Sequence, residues 1–244
     1  MAGLSDDDII AIWSVTQSIA PAARGAALLR AVTPDASLDD LTRLPIGRRD
    51  ARLLSLRDHW FGDVLIAVTS CPACGVRVEA DIPTAALAVV TTEESENPFR
   101  MASGDYAIDV RMPDTRDLVA IADAADEDAA RAMLLRRCIV QAATADGEID
   151  PFRLPARILD DVVAAIAARD PGSDITIALT CPDCAHKWES ALDIAAYLWK
   201  EIDTAALRLM RDVHELASAY GWSEPEILAI PPARRRIYRS MVSG

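Results

Sequence analysis

Four of the five cysteines in this 244-residue chain stand in two near-copies of one phrase. SCPACGVRV, residues 70–78, holds Cys71 and Cys74, and TCPDCAHKW, residues 180–188, holds Cys181 and Cys184. Two thiolates two residues apart on a tight turn span one edge of a tetrahedron, and two such turns face to face complete a four-sulfur shell suited to zinc. The proline after each first cysteine stiffens the turn. The glycine or alanine after each second one leaves room for the backbone to curl, so that its amides bond the sulfurs. We expect one structural zinc ion held by Cys71, Cys74, Cys181 and Cys184. Four thiolates close the sphere and leave no open position for catalysis. A redox pair is the competing reading, but a thioredoxin-type CxxC opens a helix, and strand-like sequence follows both phrases here. Disulfide hairpins or an unmetallated relic are further alternatives. His186, two residues past Cys184, is either a substitute ligand or a polar strand residue. Cys138, in LLRRCIV, reads as a small core residue.

The remaining chemistry is sparse. His59 has no partner visible in sequence, and His214 flanks an apolar stripe near Leu207 and Met210. There is no glycine-rich phosphate loop, nucleophile elbow or HExxH stretch, and the carboxylates are scattered. We expect no enzyme.

The elements that must position the cysteines follow from the changing period. DVLIAVTS (63–70) and VRVEADI (76–82) flank the first phrase, and DITIALT (174–180) and HKWESALDI flank the second. Each set reads as strand, CPxC turn, strand, an internal repeat of small modules. The modules lie more than a hundred residues apart, so the segment between them is an insertion whose ends return to one place. Loop closure grows only as the logarithm of length, and roughly 10 kcal/mol or more of zinc binding offsets it.

The predicted organisation is α+β and mainly helical. Residues 1–62 form an N-terminal helical region, 63–82 the first zinc-ribbon hairpin, 83–173 an inserted mixed segment, 174–192 the second hairpin, and 193–244 a long helix with a helical tail. Ser5 before Asp6, Asp7 and Asp8 caps a first helix. Pro45 opens another that carries Leu53, Leu56 and Trp60 and stops at Gly62. Within the insertion, TTEESENP (91–98) reads as an exposed loop, residues 99–113 as a hairpin around Gly104, and 114–124, 126–142 and 155–168 as helices. DGEIDPFRLP reads as a loop. From Asp193 to Tyr220, Ile194, Leu198, Ile202, Ala205, Leu209, Val213, Leu216 and Tyr220 form one helical stripe. The second CPxC phrase would then pin the start of that helix to the first half of the chain.

The bulk numbers bound the function. Half the residues are apolar, the net charge is −13 and the pI about 4.6, which disfavours broad nucleic-acid or anionic-membrane binding. No apolar run approaches the roughly 18 to 20 residues of a membrane span. The acidic start MAGLSDDDII is unlike a secretory signal. The chain reads as cytoplasmic.

The tail RLMRDVHELASAYGWSEPEILAIPPARRRIYRSMV resembles a signature of baseplate proteins and baseplate hub assembly chaperones, encoded among the genes of contractile-tail phages and phage-tail-like injection systems. The similarity to the pattern VHxLAxxYGWSExEILxLxxxRRxxYLxLV runs through Val213, His214, Leu216, Ala217, Tyr220, Gly221, Trp222, Ser223, Glu224, Glu226, Ile227, Leu228, Arg234, Arg235, Tyr238 and Val242. LPIGRRDARLLSLRDHWFGDVLIAVTSCPACG and CPDCAHKWESALDIAAYLWKEI are similar to the family's two ribbon-bearing stretches, so most of residues 44–75 and 178–242 are covered. Pro225 and Ala185 depart from the pattern.

The resemblance implies an assembly role: binding other baseplate or tail proteins, transiently or as a minor part of the particle, in the bacterial host or producer cell. Tyr220, Trp222, Ile227, Leu228, Arg234, Arg235 and Arg236 are candidates for the partner surface; alternatively, Trp222 and Leu228 pack the turn onto the long helix. The rival class is a zinc-ribbon plus helix-turn-helix DNA-binding regulator. LASAYGWSEPEILAI has that outline, with Arg234, Arg235, Arg236 and Arg239 beyond it. Against it, the helix after the turn is short and acidic.

Overall fold

The computed structural model describes residues 4–87 and 97–242. The expected loop at 91–98 lies mostly outside them. The chain divides into two units, one of residues 1–19 with 196–244 and one of residues 20–195.

The first unit opens with α1 (Asp6–Thr16). Ser5 and Asp8 bond each other's backbone amides in a capping box at its start, with three carboxylates in the first turn. Its other elements lie at the far end of the sequence.

In the second unit, α2 (Pro21–Val32) and α3 (Leu38–Thr42) precede α4 (Ile46–Phe61). Gly62, at φ 93°, stops α4, and its carbonyl accepts from Arg57 Nη1 at 2.6 Å. The chain then enters β1 (Val64–Ser70), which turns through the first CPxC and returns as β2 (Arg77–Pro83). The two strands are antiparallel, from Val64 opposite Pro83 to Ser70 opposite Arg77. Leu65, Val78 and Ile82 are buried on one face, as their alternation requires.

The insertion holds a four-stranded antiparallel sheet in the order β3 (Phe99–Ser103), β4 (Tyr106–Val110), β5 (Ile139–Thr144), β6 (Gly147–Ile149). Between β4 and β5 come α5 (Thr115–Ile121) and α6 (Glu127–Cys138), and α7 (Ala156–Arg169) follows β6. Phe99, Ile108, Val110, Met112, Leu135, Cys138, Ile139, Ala142, Ile158 and Val162 form its core. Two readings of the insertion change. The expected helix over 126–142 ends at Cys138, and Ile139–Thr144 is a strand, with Ile139 opposite Val110 and Ala142 opposite Ile108. β-branched Ile139 and Val140 fit a pleated surface, and pairing with β4 decides the ambiguity that periodicity leaves. DGEIDPFRLP, expected as loop, contains β6, whose Gly147 pairs with Thr144.

α7 leads through the 3₁₀ turn Pro171–Ser173 into β7 (Thr176–Thr180), the second CPxC, and β8 (Lys187–Ala191). These strands are antiparallel from Thr176 opposite Ala191 to Thr180 opposite Lys187. One joint ties the C-terminal end of the insertion back to the helix before β1. Asp170 Oδ2, just before that turn, accepts from the Gly47 amide in the first turn of α4 at 2.9 Å. A Cβ on Gly47 would fall 1.9 Å from Asp170 Oδ1, so only glycine admits this approach. The helix leading into β1 is thereby tied to the turn leading into β7.

α8 (Ile194–Tyr220) begins just after β8. Its stripe is buried at Ile194, Leu198, Ile202, Ala205, Leu209 and Leu216, half-buried at Val213 and exposed at Tyr220. In the first unit, Trp13 of α1 donates its indole N–H to Asp203 Oδ1 of α8 at 2.9 Å. Gly221, at φ 70°, ends α8 and bonds back to the Ala217 carbonyl at 2.8 Å. Ser223 and Glu226 box the start of α9 (Glu224–Leu228), and α10 (Pro232–Val242) follows.

Candidate metal centre

Each CPxC phrase folds into the same turn. Cys71 N donates to the Val76 carbonyl at 2.8 Å, and Cys181 N to the His186 carbonyl at 2.8 Å. Gly75 N returns to the Cys71 carbonyl at 2.8 Å, and Ala185 N to the Cys181 carbonyl at 3.0 Å. The residue after the second cysteine is left-handed in both, Gly75 at φ 76° and Ala185 at φ 58°. That conformation curls the backbone under the sulfurs.

The two turns meet. Cys71 Sγ lies 3.7 Å from Cys184 Sγ, and Cys74 Sγ lies 3.6 Å from Cys181 Sγ. All four sulfurs fall within 4.8 Å of one another. Tetrahedral zinc–thiolate bonds of about 2.3 Å put the sulfurs about 3.8 Å apart, so the group has the spacing of a metal shell. Cys71 and Cys181 are buried, while Cys74 and Cys184 face solvent. Val78 and Trp188, each four residues beyond the second cysteine of its turn, pack with Val76 around the buried pair.

The protonation states follow from this crowding. Burial pushes the Cys71 thiol up, but the amides of Cys74 and Ala73 and the neighbouring thiols outweigh it and bring Cys71 down to about 7. The Val76 amide favours the Cys74 thiolate, yet Cys184, burial and the other two thiols push Cys74 up to about 12. Cys184 is also raised: the His186 amide and Cys74 favour its thiolate, and burial with Cys181 and Cys71 overcomes them. Sulfurs this close do not all ionise by themselves, and a bound cation removes that penalty. The donor set therefore fits a soft or borderline divalent ion.

The other sequence candidates separate from this group. The His186 ring stacks on Trp188, with centroids 6.1 Å apart, and is outside the cluster. Cys138 is buried in the core of the insertion, where burial raises its thiol to about 12. In the tail, Tyr220 and Trp222 stack at 4.6 Å, and Tyr238 meets both edge-on. Tyr220, Arg234 and Arg236 are exposed and Trp222 half-exposed; Ile227, Leu228 and Arg235 are buried. α9 spans five residues, and its first turn carries Glu224 and Glu226. Arg235 and Arg239 are engaged by carboxylates. A DNA-reading helix has little to work with here. The Gly47–Asp170 joint was not legible in the sequence beyond Pro45-Ile46-Gly47 at a helix start. The covering pair Val78 and Trp188 also went unread, although its signal is the equal offset from each CPxC.

A family model described as T4 bacteriophage base plate protein matches residues 26–199. The chain belongs to this family. The span shared with the base plate family contains both hairpins, all four cysteines, Gly47 and Asp170. It stops before Val213, where the tail pattern begins. Comparison with curated proteins and with solved structures returned no match. Among the described residues no helix is long and apolar enough to cross a membrane. This base plate family member therefore carries, inside its family-defining segment, a four-cysteine group able to hold a metal ion.

Proposed function

We propose that this base plate family member is a baseplate hub assembly chaperone or minor baseplate component of a contractile phage tail or tail-like injection system. It acts by binding other tail proteins, and Cys71, Cys74, Cys181 and Cys184 hold one structural zinc that closes a split ribbon. The family match carries the reading, because it spans the whole four-sulfur group and both hairpins. When bound, the ion would supply cross-linking energy between two turns far apart in sequence, and no open coordination position. The chain's own residues do the rest: the curled turns present the sulfurs, Val78 and Trp188 shield the buried pair, and the Gly47–Asp170 joint ties α4 to the turn before β7. Of the tail candidates, Tyr220, Trp222, Arg234 and Arg236 contact the partner, while Ile227, Leu228 and Arg235 support them from beneath.

Co-producing the full chain with each tail and baseplate protein of its own gene cluster, followed by size-exclusion chromatography, tests the role. A stable complex with a hub or tail component is expected; failure with all of them overturns it. Mass spectrometry of finished particles separates the two forms: a chaperone is absent from them and a minor component is retained.

A further inference from the structure

Helix α10 is seated by its charged side. Arg235, only 2% exposed, pairs with Asp6 of α1, lies 3.3 Å from Asp212 of α8, and donates to the Ile227 carbonyl at 3.4 Å. One turn on, Arg239 reaches Asp212 and Glu215, each at 2.6 Å. Those are the positions an ordinary surface helix fills with aliphatic residues. The aliphatic residues of α10 point the other way: Ile237 is 54% exposed and Met241 65%. Arg234, Ile237 and Met241 recur at i, i+3 and i+7, on the face opposite Arg235 and Arg239. The Arg234 guanidinium lies 5.8 Å from the Tyr238 ring centroid, which joins the stripe to the Tyr220–Trp222 stack. Neither Arg234 nor Arg236 pairs with a carboxylate among the described residues.

An ion ladder on one side thus holds an apolar stripe outward on the other, flanked by two guanidiniums on a chain of net charge −13. We propose that α10 is a helical ligand: Arg234, Ile237 and Met241, with Arg236 at the flank, lie in an apolar groove rimmed by carboxylates on another protein. Charge complementarity selects that occupant. A second copy of this acidic chain is repelled at long range. Two arginines without a carboxylate partner and two aliphatic side chains fall short of the basic cluster that anionic membranes recruit. The groove chemistry stands on the geometry of α10, and only the partner's membership of a tail rests on the function proposed above.

The test places a photo-crosslinking residue at position 237 of the full chain, co-produced with the tail proteins of its cluster. The expected adduct joins position 237 to a partner segment that combines apolar residues with Asp or Glu. It falls at least tenfold in Arg234→Glu/Arg236→Glu and in Met241→Glu, and survives in Arg234→Lys/Arg236→Lys. The melting temperature stays unchanged throughout, because these side chains are exposed. No adduct above that from a crosslinker at exposed Val163 of α7 overturns the proposal, as does an adduct only between copies of this chain. Co-sedimentation of the chain with phosphatidylglycerol vesicles also overturns it. The two readings fail separately. A charge-dependent adduct with an acidic groove on a non-tail protein, with no stable complex with any tail protein, upholds the docking face and sinks the assembly role; a stable tail complex without the 237 adduct does the reverse.

Discussion

Ala185 occupies, at φ 58°, the left-handed position that Gly75 occupies at φ 76° in the other turn. A side chain there costs roughly 1–2 kcal/mol, while glycine restores unfolded-chain entropy of about 0.4–1 kcal/mol. Ala185→Gly is therefore expected to stabilise the protein by about 0.5–1 kcal/mol, read as a higher denaturant midpoint with unchanged slope. At the sulfurs, Cys71→Ser and Cys181→Ser should each remove metal binding. The double variant should lose little more than either single one, since the first loss already opens the shell; additive losses would mean the cysteines act independently. This scale was the most legible in the sequence, because CPxC spacing is itself a coordination geometry. What it did not show is that one turn tolerates alanine under strain, since a φ angle has no signature when the residue is not glycine.

Between elements, the joint of α4 with the turn before β7 keeps the two hairpins in reach of one another. Gly47→Ala drives a methyl into Asp170 and displaces a buried charge-assisted bond. A loss of about 2–4 kcal/mol is expected, with weaker metal retention measured by chelator competition. An unchanged melting temperature would remove the joint from the account. A second clamp lies inside the insertion. Asp117 of α5 is fully buried and accepts from Arg111 at 2.6 and 2.7 Å and from Arg137 at 2.6 Å. Burial pushes its carboxyl up, but Arg111, the Asp114 amide and Arg137 outweigh burial and hold it below the ordinary 3.8. A depressed carboxyl stabilises the fold above its unfolded pKa, and that stabilisation fades as pH falls through the lower folded value. Asp117→Asn is expected to cost about 2–3 kcal/mol at pH 7, less than a fully buried pair because Arg111 and Arg137 keep some solvent. The difference from the parent should shrink as the pH drops below about 4. The hairpins were readable from alternation. The α6–β5 boundary was not, because LLRRCIV carries apolar residues without a stop signal and β4 pairing alone ends the helix. The Gly47 and Asp117 contacts join residues far apart or of opposite burial preference, and no local pattern announces such pairs.

At the scale of the molecule, a four-sulfur group, a family match over residues 26–199 and a helix with its apolar side outward fit a protein that binds proteins. The family was legible from the sequence, although the tail pattern lies beyond the matched span; the outward stripe of α10 was not. Its period reads as an ordinary amphipathic helix, and only the ion pairs of Arg235 and Arg239 show which face is seated. We propose above all that the two CPxC turns close one metal site. Native mass spectrometry of the full chain, purified without chelator, tests it most directly. One zinc per chain is predicted, with Cys71, Cys74, Cys181 and Cys184 blocked to a thiol reagent until a chelator is added. A metal-free chain whose four thiols react at once would contradict it.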